Sequence, residues 1–251
     1  MGDGTEVRMS RPALTAELSR YVLPPVHFDG LSLEAADPRG LAAFWRVVLD
    51  GTLLDLGDGG WRVDPGAGRP GNEIVRVRPG TRPPSRQTRV HLDVRLAGAE
   101  PDAIVAAGGR ILREPGAEPW YVLADPEGNE FCAYPAVDDR PAGIFELVVK
   151  CRDAVAQAQW WSALLGGSVA LEGEAAAVRA APDFPWEYWL FDPVPEAKDG
   201  PNRLHWHVIL RDGEPSDLVA RGATVLRAPA GRDDAWVLAD PEGNEFCAGP
   251  A

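Results

Sequence analysis

The twelve residues VLADPEGNEFCA occur twice in this chain, from Val122 to Ala133 and from Val237 to Ala248. Residues 122 and 237 stand 115 positions apart, the size of a small domain rather than of a solenoid repeat. A length of 251 residues suits two such units. The likeness extends upstream. DPRGLAAFWRVVLDG (Asp37 to Gly51) aligns with DAVAQAQWWSALLGG (Asp153 to Gly167), each opening on an Asp placed to cap a helix, with Trp45 and Trp161 in register and a Gly at the end. TRVHLDVRL (Thr88 to Leu96) aligns with NRLHWHVIL (Asn202 to Leu210), and IVAAGGRILREP (Ile104 to Pro115) with LVARGATVLRAP (Leu218 to Pro229).

Strand-like runs (GLSLEAA, ELVVKCR) precede the two helices, and hairpin-like stretches rich in Gly and Pro follow them. Each copy therefore reads as two βαβββ units. The expected organisation is an N-terminal extension over 1–21, a first domain over 22–137, a linker over 138–141 within a polar Pro- and Gly-bearing stretch, and a second domain over 142–251. Helices are expected near 38–50 and 154–166, and the two domains are expected to superpose.

Alternation along strands sorts the side chains. Val90, Leu92, Val94 and Leu96 form an apolar face, leaving His91 and Asp93 on the other. In the second copy Leu204, Trp206, Val208 and Leu210 are apolar, and His205 and His207 share the opposite face. After DPEGN, whose Asp, Pro and Gly suit a type I turn, Phe131 takes the core side and Cys132 the other. Trp186 and Tyr188 lie in the aromatic stretch DFPWEYWLF (Asp183 to Phe191), the expected stacking wall for a ligand. His27 is placed at a surface or interface, and Cys151 in the core.

Several classes are excluded or disfavoured. A formal charge of −13 opposes a nucleic-acid partner and leaves room for a cationic small molecule. Three cysteines, two of them at matching positions, make no disulfide framework. No stretch has the length of a membrane span, and the first residues lack the apolar run of a secretory signal. A cytoplasmic location is expected.

The Asp-led helices with their aromatics (AAFW, AQWW), the HLDV and HWHV strands and the closing DPEGNEF together resemble the glyoxalase-like branch of the vicinal oxygen chelate superfamily, over about Val26 to Ala251. The resemblance implies an α+β fold: two tandem glyoxalase-like domains, each of paired βαβββ units curling a mixed sheet into a cup. Metal-dependent relatives place a His or Glu on the first strand, a His on the HLDV-type strand and a Glu on the last. Carried across, the first-strand position holds Gly30 and Glu146, the middle one His91 and His205, and the last one Cys132 and Cys247. The first copy has thus lost its set. The second keeps Glu146 and His205 and adds His207.

The resemblance thereby implies a protein holding a small organic molecule in a cupped sheet without the usual metal triad, for sequestration or for metal-free catalysis. His91, Asp93, Cys132, Trp186, Tyr188, His205, His207 and Cys247 are the candidate ligand-binding residues, and no cofactor is expected. The alternative is a metal-dependent lyase, isomerase or dioxygenase whose only site is in the second domain. It would hold one zinc- or nickel-type ion on Glu146, His205 and His207, with Cys247 available as a soft ligand. A structural or interaction module remains open if side chains fill both cups. Either a monomer with pseudo-dimeric domains or a homodimer fits the duplication.

Overall fold

The computed structural model describes residues 24–80, 88–137, 139–231 and 234–250; the N-terminal extension over 1–21 lies outside them. The first copy contributes β1 (Val26–Ala35), α1 (Pro38–Val48), β2 (Thr52–Asp55), β3 (Trp61–Asp64) and β4 (Val75–Pro79). Its second unit is β5 (Val90–Arg95), α2 (Asp102–Ala106), β6 (Arg110–Arg113), β7 (Tyr121–Ala124) and β8 (Glu130–Tyr134). The second copy repeats this order: β9 (Gly143–Cys151), α3 (Ala154–Leu165), β10 (Ser168–Glu172), β11 (Ala175–Arg179) and β12 (Tyr188–Pro193). It closes with β13 (Leu204–Leu210), α4 (Ser216–Ala220), β14 (Thr224–Arg227), β15 (Trp236–Ala239) and β16 (Glu245–Pro250).

The two long helices start where the Asp residues place them. Asp37 accepts from the Gly40 amide at 3.0 Å and Asp153 from the Ala156 amide at 2.9 Å, each satisfying a donor that the first helical turn leaves free. They end differently. Gly166 takes a positive φ of 80° after α3, whereas after α1 that role falls to Asp50, at φ 46°, and not to Gly51.

The strands form two mixed sheets of 8, each built from paired βαβββ units, and the pairing crosses between the copies. Sheet I runs β14-β15-β16-β13-β1-β4-β3-β2, and sheet II runs β10-β11-β12-β9-β5-β8-β7-β6. The first unit of copy one therefore pairs with the last unit of copy two, and the two middle units pair with each other. The central joints are antiparallel, with Leu31 opposite Trp206 in sheet I and Leu92 opposite Leu147 in sheet II. Each joint is interrupted at a matching place, between Phe28 and Leu31 and between Asp93 and Val94. The expectation that each sequence copy closes its own cup is corrected by this topology. Side-chain alternation is a local property, and it carries no information on which strand becomes the neighbour.

Alternation itself is observed as expected. Val90, Leu92 and Val94 are buried, as are Leu204, Trp206, Val208 and Leu210. They join one hydrophobic core with Trp45, Trp161, Trp189, Phe131 and Phe246. Cys151 is fully buried in that core.

The repeated motif has a structural task in both copies. The Asp125 carboxylate accepts from the Glu127 and Asn129 amides at 3.0 and 2.9 Å, from the Asn129 side chain at 2.7 Å and from the Trp45 indole at 3.3 Å. Asp240 accepts from the Glu242 and Asn244 amides at 3.0 and 2.9 Å, from Gln157 at 2.7 Å and from the Trp161 indole at 3.4 Å. The motif's Glu reaches the start of the long helix: Glu127 accepts from the Asp37 amide at 2.8 Å, and Glu242 from the Asp153 amide at 3.1 Å. Gly128 and Gly243 both stand at φ 83°, the left-handed conformation that glycine tolerates. DPEGN is thus a knot that ties the helix of a copy's first unit to the hairpin of its second.

Candidate functional site: two unequal cups

Both sheets present a polar concave face, and the parity of each strand decides what stands on it. In sheet II, Asp93 lies opposite Glu146 on one side and Cys132 on the other, and Tyr188 lies beyond Glu146. His91 is two residues along β5, its Nε2 3.4 Å from Asp93 Oδ1. In sheet I the same places hold His205 and His207 on β13 and Cys247 on β16, with His207 opposite Cys247. Glu146 and His205 therefore stand in different sheets. The expected metal set of Glu146, His205 and His207 does not form, because β9 pairs with β5 and not with β13.

Cup II is filled from within. The Tyr134 hydroxyl, the Cys132 thiol and the Glu146 carboxyl stand close to the Asp93 carboxylate, whose Oδ1 is buried without a hydrogen-bond partner. Trp120 stacks on Tyr134 with centroids 5.0 Å apart, Phe145 meets Tyr134 edge-on at 5.2 Å, and Arg113 lies over Trp120 at 5.9 Å. The Asp93 side chain is 5% exposed and that of His91 14%. Burial lowers the His91 pKa to about 3, keeping the imidazole neutral, and raises that of Asp93 to about 6. Burial beside the Asp93 charge raises Glu146 to about 9, so at neutral pH Glu146 keeps its proton beside Asp93.

That arrangement fixes a pH dependence. The native state holds a proton that the unfolded chain releases above the ordinary carboxylate range. This stabilisation is complete at low pH and is lost as pH rises through about 9. Glu146→Gln keeps a donor for Asp93 and removes the titration. Relative to wild type, the variant should gain about 2–3 kcal/mol between pH 7 and about 9, as one proton's linkage over two pH units dictates. Urea unfolding across that range checks this; parallel stability curves for the two proteins contradict it.

Cup I is open. A cavity of about 740 Å³ is lined by His205, His207 and Cys247, by Arg76, Arg78 and Arg227, and by Asp29, Glu34, Asp58 and Asp234, with Ala235 and Gly249 among its small residues. Position by position, the repeat explains the difference. Where cup II has Trp120, Tyr134 and Glu146, cup I has Ala235, Gly249 and Gly30. A Cβ at Gly249 would meet only the Ala235 Cβ, at 4.0 Å. Leu190 and Asp192 of cup II are replaced by Arg76 and Arg78, which face the matching residues of the neighbouring strand.

The cup I arginines differ in their state. Arg76 pairs with Asp29 at 2.8 Å and Arg78 with Asp58. Arg227 has no partner among the described residues. The Nε2 of His207 is buried without a hydrogen-bond partner. Burial, reinforced by His205, Arg76 and Arg78, holds His207 well below the ordinary histidine range, so it is neutral. Burial raises the Cys247 thiol while Arg227, Arg76 and Arg78 pull it back down.

Of the candidate residues, His205, His207 and Cys247 come together in cup I. His91, Asp93, Cys132 and Tyr188 come together in cup II with Glu146. Trp186 joins neither: it is buried against Phe28 and Phe184, and its indole donates to Glu73 at 2.8 Å. It precedes the strand that starts at Tyr188, so strand alternation does not govern it, and the expected stacking wall is not formed. His27 is half-buried and bonded to Asp183 of the second copy. Sequence reasoning missed Arg76, Arg78, Arg227 and the Tyr134/Gly249 exchange. The signal for the last was on the page, since these are the first letters to differ after the repeated twelve.

Two clusters have metal-ligand composition, His205–His207–Cys247 and His91–Asp93–Cys132, each with its donor atoms within 4.8 Å of one another. Each cluster holds one buried atom without a hydrogen-bond partner, Asp93 Oδ1 in cup II and His207 Nε2 in cup I. The cup I set fits an ion better, because it lines the open cavity. Two imidazoles and a thiolate suit a zinc- or nickel-type ion rather than magnesium.

Comparison with known proteins agrees with this architecture. The family model described as a glyoxalase-like domain matches twice, over residues 30–134 and 146–249. A V278E mutant of glyoxalase I from Zea mays is similar in fold, with a TM-score of 0.65 and 14% identity over 95% of this chain and 96% of that one. A putative dioxygenase from Bacillus subtilis superposes with a TM-score of 0.57 and 15% identity, over 90% of this chain and 86% of that one. No curated protein matches the sequence. No helix among the described residues is long and apolar enough to cross a membrane.

Proposed function

Because the chain belongs to the glyoxalase-like branch of the vicinal oxygen chelate superfamily and carries two such domains in tandem, we propose that it holds a small organic molecule in cup I, while cup II is a closed structural half. One observation carries this: the exchange of Trp120, Tyr134 and Glu146 for Ala235, Gly249 and Gly30, which accompanies an open cavity of about 740 Å³ in cup I. A concave site with a few convergent polar groups is what small-molecule recognition needs. Three arginines and four carboxylates line the cavity, with Arg76 paired to Asp29 and Arg78 to Asp58, so the local charge is nearly balanced and favours a neutral ligand over the cationic one that the net charge alone implies.

The test is to plug the cup. Gly249→Tyr places in cup I the ring that Tyr134 places in cup II, and the open space at Gly249 lets the variant fold. Small carboxylates, amides and phenols that bind the wild type in ligand-observed NMR should bind this variant at least about tenfold more weakly. Compounds held equally by both proteins would locate the site elsewhere.

A second reading has its own support in the unpartnered Nε2 of His207. A zinc- or nickel-type ion on His205, His207 and Cys247 would polarise a carbonyl oxygen of the bound molecule. Arg227 lines the same cavity and weighs against it, which makes it second. Zinc titration of wild type and His205→Ala decides: equal binding by both, or none by either, leaves cup I a plain organic-ligand pocket.

A further inference from the structure

The closed cup describes what the open one lacks. In cup II, two aromatic rings occupy the concavity, Trp120 stacked on Tyr134 with centroids 5.0 Å apart and 30° between their planes. Two groups hold them. Arg113 lies over the Trp120 ring at 5.9 Å, and the Asp93 carboxylate stands close to the Tyr134 hydroxyl. In cup I both rings are absent, replaced by Ala235 and Gly249, and both holders remain in changed form. Arg227 stands at the Arg113 position and lines the cavity without a partner among the described residues. His207 stands at the Asp93 position with its Nε2 buried and unpartnered.

Resting on the reading of cup I as the ligand site, we infer that its ligand is a flat aromatic molecule bearing a hydroxyl. It lies where Trp120 and Tyr134 lie in cup II, with Arg227 over its face and its hydroxyl on His207. A guanidinium over a ring is attracted by the ring's negative face, and the attraction grows as water is excluded. A hydroxyl both donates and accepts, so it satisfies the His207 Nε2 in either imidazole tautomer. The open volume also exceeds what one phenol ring fills, which leaves space for the part of the ligand that replaces the indole.

The probe is p-cresol, the side chain of the absent tyrosine, compared with 4-methylcyclohexanol, which keeps the hydroxyl and lacks the ring. Binding is measured by chemical-shift titration in wild type, Gly249→Tyr and Arg227→Gln. The expected result is saturable p-cresol binding, about tenfold tighter than 4-methylcyclohexanol, lost in Gly249→Tyr and stripped of most of its aromatic preference in Arg227→Gln. Equal binding of the two compounds, both lost in Gly249→Tyr, would overturn the aromatic assignment and leave cup I standing as the ligand site. No saturable p-cresol binding, or binding untouched by Gly249→Tyr, would overturn the inference outright.

Discussion

Trp161→Ala is expected to remove about 4–5 kcal/mol of folding stability, the upper end for an aromatic truncation in a core. The side chain is fully buried. Its ring lies 4.7 Å from Trp189, 5.3 Å from Trp206, 5.0 Å from Phe246 and 4.8 Å from Trp160. These partners come from β12, β13 and β16 and from the helix itself, so the cavity would open where α3 meets both sheets, and rigid neighbours leave little scope for collapse. The indole also donates to Asp240, one of the bonds that tie the repeated motif to its helix. The corresponding Trp45→Ala should cost less, about 3 kcal/mol, because among the described residues that ring has only Phe44 and Phe131 as aromatic neighbours, each at 5.5 Å. Urea denaturation of both variants measures the difference. A Trp161→Ala loss below about 1 kcal/mol would mean that the core relaxes around it. Against a total stability of about 5–15 kcal/mol for a natural protein, the larger loss threatens folding at physiological temperature.

What was legible in the sequence was local. The Asp37 and Asp153 caps, the turn chemistry of DPEGN and the buried faces of VHLDVR and LHWHVIL all follow from rules that span a few residues. The family likeness added the cup. What the sequence hid was pairing at long range. Glu146 and His205 share a copy, and the sheets separate them, because β9 lies against β5 and β1 against β13. Trp186 misled for another reason: the chain is irregular there, and a side chain outside a strand does not inherit the strand's two faces. The repeated DPEGN reads as a turn in the sequence, and its Asp, Glu and Asn make bonds within the fold. The proposed ligand site lies instead where the repeats differ, at Trp120/Ala235, Tyr134/Gly249 and Glu146/Gly30.

The two cups carry a built-in comparison, because Cys132 and Cys247 occupy identical places in the repeat. Cys132 lies beside the Asp93 carboxylate, and burial with that charge drives its pKa far above the ordinary thiol range. Cys247 is also raised by burial, but three arginines favour its thiolate, and it lines the open cavity. The thiolate is the reactive form, and access decides the rest. Alkylation by iodoacetamide at about pH 8, followed residue by residue with mass spectrometry, should proceed at Cys247 at least about a hundredfold faster than at Cys132. Gly249→Tyr should slow the Cys247 reaction without changing Cys132. Equal rates at the two residues, or faster reaction at Cys132, would contradict the assignment of cup I as the open, working half of the molecule.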